Sequence, residues 1–223
     1  MTDTIDLDSV DLGASYRRVR RGLSAFLTSG ADPEAPVPAC PGWTVHDVVA
    51  HLVAVPEDVM AGRLTGPPDS EFTAAQVARR RDSSIERMVA EWEQMAPPFE
   101  ELVGGMKIWP AYLDVLGHEH DIRGALNAPA GRDGEDVRVA AVRLVNILSP
   151  SVPIEVRVDG SNFRPGPKGD PAVSLDTSSF EAFRFRLGRR SRSQMAAMSW
   201  RGDPVLVLDE LAIFGPAEAD VVE

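Results

Sequence analysis

The sequence predicts an α+β protein, with an N-terminal four-helix bundle followed by a small domain of helices and strands. Up to about residue 148, apolar residues recur at intervals of three and four, the spacing of amphipathic helices. The segment SPSVP interrupts this pattern, and the segments IEVRVDG and AVSLD then alternate as strands do. We therefore predict one domain over residues 1–148 and a second over residues 149–223.

The first two helices are predicted from apolar stripes and a cap. The first helix is expected between Leu7 and Ser29, with its arginines on a solvated face. Its inward stripe comprises Leu12, Tyr16, Val19, Leu23, Phe26 and Leu27. After a proline-rich loop, Thr44 is expected to cap the second helix in a capping box with Asp47.

The remaining helices follow from the same periodicity. A third helix is expected over Thr73–Met95, ended by Pro97 and Pro98 and carrying solvated arginines at 79–81. A fourth should begin near Pro110 and end at the loop NAPAGRDG. Four helices of this length predict an antiparallel bundle. Residues 135–148 and 178–198 also have helical patterns, the latter with a break at Gly188.

Composition restricts the function classes. A hydrophobic fraction of 43% and a charged fraction of 26% are typical of a globular protein. The net charge of −11 argues against nucleic acid as a partner, because phosphate binding needs a basic surface. Cys40 is the single cysteine, which excludes an internal disulfide. The acidic start differs from a secretory signal and no apolar run suggests a membrane helix, so a cytoplasmic location is expected.

The four histidines occur in two short segments, and two of them are candidate metal ligands. His51 shares the inward side of the second predicted helix, whereas His46 should point elsewhere. Asp114 and His118 are four residues apart, so a helix places them on one face. We therefore predict a metal site formed by His51, Asp114 and His118. The competing interpretation is a hydrogen-bonded core histidine together with a carboxylate paired to a basic side chain.

Two further groups of charged residues have alternative interpretations. Asp121 shares the face of Asp114 and His118, so it either accepts a hydrogen bond from an imidazole or pairs with a base such as Arg123. His120 lies on another face. The segment FRFRLGRRSRSQ, which contains Arg189 and Arg190, is either a solvated face or a site that binds a substrate carboxylate. Cys40 has no base or cation nearby in the sequence, which favours a packing role.

Two segments resemble a known family. PGWTVHDVVAHL and DVLGHEHDIRGAL resemble the paired signatures of the mycothiol-dependent maleylpyruvate isomerase family, a branch of the DinB-like metal-binding bundles. FRFRLGRRSRSQ, MSWRGDP and FGP are similar to that family's C-terminal domain. The resemblance implies a DinB-like bundle and a small, sterol-carrier-like α/β domain. It also implies a divalent metal, usually zinc, held by His51, Asp114 and His118, with Asp114 replacing the usual Glu.

The resemblance further implies a reaction. Mycothiol would be the thiol co-substrate, and its thiolate would transfer to, or isomerise, a small anionic electrophile. Asp121 and Arg123 would support the site, and Arg189 or Arg190 would orient the substrate. Two alternatives remain: a metal-dependent hydrolase with Glu57 or Glu119 as base, and a non-catalytic metal-binding or regulatory module. The oligomeric state is left open.

Overall fold

The computed structural model describes residues 5–223 and confirms the predicted α+β class. The chain divides into two compact units. One comprises Asp11–Pro129 together with Glu223, and the other comprises Ala130–Val222 together with residues 5–10. Residues 1–4, which the predicted first domain includes, lie outside the described part of the chain. Each unit has its own architecture.

The first unit is a helical bundle with one additional short helix. Its main helices are α1 (Leu12–Leu27), α2 (Val45–Met60), α4 (Ile85–Gly105) and α5 (Trp109–Ala125). These four helices pack on one another, and α3 (Ser70–Ala78) packs on α2. Their shared core includes the fully buried side chains of Tyr16, Leu52, Trp92, Phe99 and Tyr112. The predicted bundle is therefore present.

The caps explain where the first two helices begin. Asp11 accepts a hydrogen bond from the backbone N–H of Ala14, so α1 starts at Leu12 rather than at the predicted Leu7. Thr44 and Asp47 form the predicted reciprocal capping box at the start of α2. This cap fixes the position at which the turns that carry His51 begin.

The prediction of one helix over Thr73–Met95 was wrong. The structure has two helices there, because Ser84 caps α4 by accepting from the backbone N–H of Arg87. Pro97 and Pro98 do not end α4 but lie inside it. Core residues hold the helix on both sides of the prolines, with Trp92 and Ala96 before them and Phe99 and Val103 after them.

Two arginines expected in solvent are buried. Arg20 of α1 pairs with Glu93 and, at 3.0 Å, with Glu100, both on α4. Arg80 pairs with Glu57 at 2.8 Å and with Glu91 at 3.1 Å. Sequence periodicity gave no sign of these partners, which lie on other helices. Their carboxylates offset the cost of removing a guanidinium from water.

Helices α1 and α4 approach each other closely at Gly13. A Cβ atom at this position would lie 2.5 Å from the backbone oxygen of Glu100. Only a residue without a side chain fits there unless the helices shift apart. The carboxylate of the same Glu100 binds Arg17 at 2.5 Å and Arg20 at 3.0 Å.

The second unit contains a four-stranded sheet and three helices. The strands are β1 (Ile154–Val158), β2 (Ser161–Phe163), β3 (Val173–Thr177) and β4 (Ser199–Arg201), in the order β2-β1-β3-β4. Strands β1 and β3 are parallel, and the outer pairs are antiparallel. The helices are α6 (Glu135–Asn146), α7 (Ser179–Arg186) and α8 (Arg192–Ala196), followed by two short 3₁₀ turns.

The two longer strands were expected, whereas β2 and β4 span three residues each and left no clear alternation. Helix α6 packs on α7, and the two compact units separate at 129/130. The domain boundary at 148/149 stays a prediction. None of the helices within residues 5–223 is long and apolar enough to cross a membrane.

Candidate metal centre

Three predicted ligands meet at one place in the bundle. Nε2 of His51, on α2, lies 3.6 Å from Oδ1 of Asp114, on α5. Nε2 of His118 lies 3.6 Å from the same oxygen. The two imidazole rings meet edge to face with their centroids 5.3 Å apart. One donor atom from each of the three residues therefore lies within 4.8 Å of the others.

The local helix geometry explains this convergence. Asp114 and His118 are one turn apart on α5, so their side chains stand on the same face. His51 lies among buried residues of α2, which packs on α5. The N-cap Thr44 and the buried apolar side chains around His51 thus orient α2 so that His51 lies toward Asp114.

The three side chains differ in their access to solvent. The imidazoles of His51 and His118 are 7% and 9% exposed, whereas the carboxylate side chain of Asp114 is 31% exposed. Asp114 is therefore the most solvent-accessible of the three candidate ligands.

Each imidazole also has a hydrogen-bond partner at its other nitrogen. Nδ1 of His51 lies 2.7 Å from Oε1 of Gln76 on α3, and the ring of Trp43 packs at 5.5 Å between centroids. Nδ1 of His118 lies 3.0 Å from Oδ2 of Asp121. Acceptors at both Nδ1 atoms favour the proton there, which leaves the lone pair on Nε2 directed at the donor group.

Asp58 anchors the partner of His51. It is fully buried on α2 and accepts a hydrogen bond from Nε2 of Gln76 at 2.7 Å. Arg63 and Arg79 also donate to it, each at 2.7 Å. Burial opposes ionisation, but the hydrogen bonds from Gln76, Arg79 and Arg63 outweigh it and lower the pKa of Asp58. Asp58 is therefore a carboxylate at neutral pH.

This donor set fits a divalent cation. Zinc binds histidine nitrogen and carboxylate oxygen at about 2.0–2.2 Å, so tetrahedral ligand atoms lie roughly 3.3–3.5 Å apart. The two separations of 3.6 Å are close to that value. Two imidazoles and one carboxylate also form a common catalytic zinc set, and second partners at Nδ1 are typical of ligating histidines.

Cys40 is a neighbour of this group that the sequence did not predict. Its Sγ lies 3.5 Å from Oδ2 of Asp121 and 3.7 Å from Nδ1 of His118. Cys40, His118 and Asp121 also have donor atoms within 4.8 Å of one another. However, Nδ1 of His118 is already bonded to Asp121. We therefore interpret Cys40 and Asp121 as residues that hold the imidazole of His118 in place.

The other candidates near the bundle have structural partners. Arg123 pairs with Glu119 at 3.0 Å and lies over the ring of Phe26, so its contact is with α1 and its own helix. His46 is bonded through Nε2 to the backbone oxygen of Ser83 at 2.8 Å. His120 is buried on α5 and belongs to neither donor group.

The predicted substrate arginines lie in the second unit. Arg190 forms a bidentate pair with Glu181, with both contacts at 2.7 Å, and its guanidinium lies near the ring of Phe180. Arg189 donates to the backbone oxygen of Leu187 at 2.7 Å. Their role in substrate binding stays a prediction.

Comparisons with known proteins agree with this architecture. Residues 12–111 match the family model described as the mycothiol maleylpyruvate isomerase N-terminal domain. A crystal structure of a histidine-to-alanine mutant of the mycothiol-dependent maleylpyruvate isomerase has a TM-score of 0.57 and 14% identity to this chain, covering 83% of this chain and 92% of that one. A second crystal structure of that isomerase has a TM-score of 0.53 and 15% identity over the same shares. At this identity the likeness shows a shared fold. No curated protein sequence matches the chain significantly.

Proposed function

We propose that this chain, whose residues 12–111 match the model of the mycothiol maleylpyruvate isomerase N-terminal domain, is a metal-dependent enzyme that activates a small-molecule thiol. His51, Asp114 and His118 would hold the cation, with zinc the first candidate. The observation that carries the proposal is the approach of two Nε2 atoms to one carboxylate oxygen, each at 3.6 Å. Mycothiol is the first candidate for the thiol, by analogy with the family.

The chemistry assigned to the cation is to favour the thiolate form of a bound thiol at neutral pH, which produces a strong nucleophile. The chain's own residues orient the proposed metal ligands. Asp121 and Gln76 hold the two imidazoles, and both imidazoles are buried. Asp114 is the most exposed of the three, so a thiol and an electrophile would approach the cation beside it.

The reacting sulfur must come from a co-substrate. Cys40 is the chain's single cysteine, and its Sγ lies beside Nδ1 of His118 rather than beside the Nε2 atoms that face Asp114. A thiolate from the co-substrate would add to an activated double bond, allow rotation about the resulting single bond, and leave again as thiolate. This sequence gives a cis–trans isomerisation without any oxidant or reductant. Displacement of a leaving group would instead give S-transfer.

The hydrolase alternative has less support. It needs a general base close to the donor group, and its two candidates are both ion-paired. Glu57 contacts Arg63 and Arg80, each at 2.8 Å, and Glu119 contacts Arg123 at 3.0 Å. The non-catalytic alternative predicts a protein that binds no thiol.

Elemental analysis of untagged purified protein, followed by a thiol titration of the cobalt-substituted form, tests the proposal. We expect about one divalent ion per chain and a new thiolate-to-cobalt absorption band on addition of mycothiol. A cobalt-substituted protein whose absorption spectrum does not change on addition of any thiol would support the hydrolase alternative or the non-catalytic alternative. A protein that takes up no divalent ion would overturn the proposal.

A further inference from the structure

A chain of hydrogen bonds leads from two partly exposed arginines to the buried imidazole of His51. Arg63 and Arg79 donate to Asp58, Asp58 accepts from Nε2 of Gln76, and Oε1 of Gln76 lies 2.7 Å from Nδ1 of His51. Asp58 and Gln76 are both fully buried. We call Asp58, Gln76 and His51 the relay.

The chemistry of its members gives the relay one direction. An ionised carboxylate can only accept hydrogen bonds, so the amide of Gln76 must turn its NH₂ group to Asp58. Its oxygen then faces His51, and Nδ1 of His51 must be the donor. A neutral histidine in water prefers its proton on Nε2. The relay therefore imposes on His51 the less common tautomer, in which Nε2 has the lone pair.

The position of Gln76 on α3 supports a specific role for it. Among residues Ser70–Ala78, Gln76 is the buried one, and the other side chains of this helix are half-buried or exposed. An amphipathic helix normally buries an apolar stripe. Helix α3 instead inserts one amide between Asp58 and His51, both on α2.

We propose that Gln76, oriented by Asp58, is a positioning residue that fixes the proton of His51 on Nδ1 and so keeps Nε2 as a metal donor. The metal part of this inference rests on the proposed function, whereas the tautomer part does not. The two histidines also differ. Nδ1 of His118 faces a carboxylate, whereas Nδ1 of His51 faces a neutral amide.

Three variants separate positioning from packing. Gln76→Leu removes both hydrogen bonds at similar volume. Asp58→Asn keeps the shape but removes the directional signal, because an asparagine can present either NH₂ or oxygen to Gln76. The double variant Asp58→Asn with Gln76→Glu restores the donor–acceptor order, since the new amide can donate to the new carboxylate and the carboxylate accepts from His51. Gln94→Leu, at an exposed position on α4, is the matched control.

The first readout is ¹⁵N NMR of histidine-labelled, metal-free protein at a pH where the imidazoles are neutral. The second is zinc affinity by chelator competition, with thermal unfolding to confirm the fold. We expect the Nδ1–H form at His51 in the wild type and its loss in both single variants. Zinc affinity should fall about 10- to 100-fold in the single variants, as for other outer-shell partners. The double variant should regain the Nδ1–H form and most of the affinity.

The outcomes distinguish this inference from the proposed function. A wild-type protein that binds zinc while His51 carries its proton on Nε2 overturns the relay and leaves the metal site standing. A wild-type protein with the Nδ1–H form and no affinity for zinc supports the relay and removes the proposed function. If Gln76→Leu fails to fold, the double variant still decides, because zinc affinity as weak as that of Asp58→Asn would overturn the inference.

Discussion

Buried polar side chains occur in both compact units, but they are arranged differently. In the second unit, Arg186 donates to the backbone oxygens of Leu144 and Leu211, and Arg190 donates to Glu181. Burial lowers the pKa of Arg186 to about 10, so it remains a cation at neutral pH and its acceptors suit it. In the bundle, by contrast, two imidazole nitrogens and a carboxylate oxygen are aimed at one another. Burial of a polar group is therefore a weaker sign of function than the convergence of several acceptor atoms.

The largest expected effect tests the convergence directly. His51→Ala and His118→Ala should each weaken divalent-metal binding by more than the roughly 10- to 100-fold that outer-shell changes cause, because each removes a ligand atom. His46→Ala is the control, since His46 binds the backbone of Ser83. Titration calorimetry with zinc measures all three. Equal losses of zinc affinity in the three variants would contradict the assignment of His51 and His118, but not His46, as metal ligands.

The next effect sharpens the role of the acceptor behind His118. Asp121→Asn should reduce zinc affinity about 10- to 100-fold, because an amide orients and polarises the imidazole less well than a carboxylate does. Asp82→Asn, at an exposed position before α4, should change nothing. Chelator competition provides the measurement, and an unchanged affinity for Asp121→Asn would assign this residue to packing.

The second unit should respond in stability rather than in metal binding. Arg190→Gln breaks the bidentate pair with the half-exposed Glu181, so we expect a loss of about 1–2 kcal/mol in the free energy of unfolding. The metal content should be unchanged. Arg138→Gln, an exposed arginine of α6, is the control in the same urea titration. A loss of metal from Arg190→Gln would contradict the assignment of Arg190 to stability and of metal binding to the bundle alone.

A smaller effect appears in the dependence of stability on pH. The folded pKa of Asp58 is lowered below its unfolded value of about 3.9, so its contribution to stability is complete above about pH 4 and is lost as pH falls through the folded value. Asp58→Asn should therefore be less stable than the wild type at neutral pH, and this difference should shrink in acid. Urea unfolding across a pH series measures it. A difference that stays constant down to acid pH would contradict the assignment of an ionised Asp58.

The smallest effect concerns the shorter acid. Asp114→Glu should leave zinc affinity unchanged or raise it, by less than the roughly 10-fold that marks an outer-shell change, if this residue ligates directly. A large loss would instead indicate a site built closely around the aspartate. The same chelator competition distinguishes these results.

The sequence predicted that His51, Asp114 and His118 would converge, but apart from Asp121 it did not predict the residues that contact them. The helical repeat is fixed, so Asp114 and His118 had to share a face, and His51 was marked by its apolar neighbours. The family model matches residues 12–111, which include the segment around His51 but end before the segment that contains Asp114 and His118. The sequence did not predict a role for Gln76, because a single amide forms no periodic pattern. The prediction of one helix over Thr73–Met95 also hid the separate short helix α3 that carries Gln76.

Cys40 and the buried arginines were missed for a related reason. Cys40 reaches His118 across 78 positions of the chain, and no local pattern reports such a contact. The acids that pair with Arg20 and Arg80 belong to other helices. The pattern of one helix alone therefore placed both arginines on a face exposed to solvent. Contacts between distant segments depend on how helices pack, and a repeat within one helix does not specify that.

The close crossing at Gly13 has a consequence for how the bundle tolerates change. A methyl group there would meet the backbone of Glu100, and the carboxylate of that residue joins Arg17 and Arg20 to α4. Alanine at this position would act as a spacer, since the two backbones would have to separate before the three charged groups could meet again. The absence of a side chain at Gly13 thus determines whether these ion pairs between α1 and α4 can form.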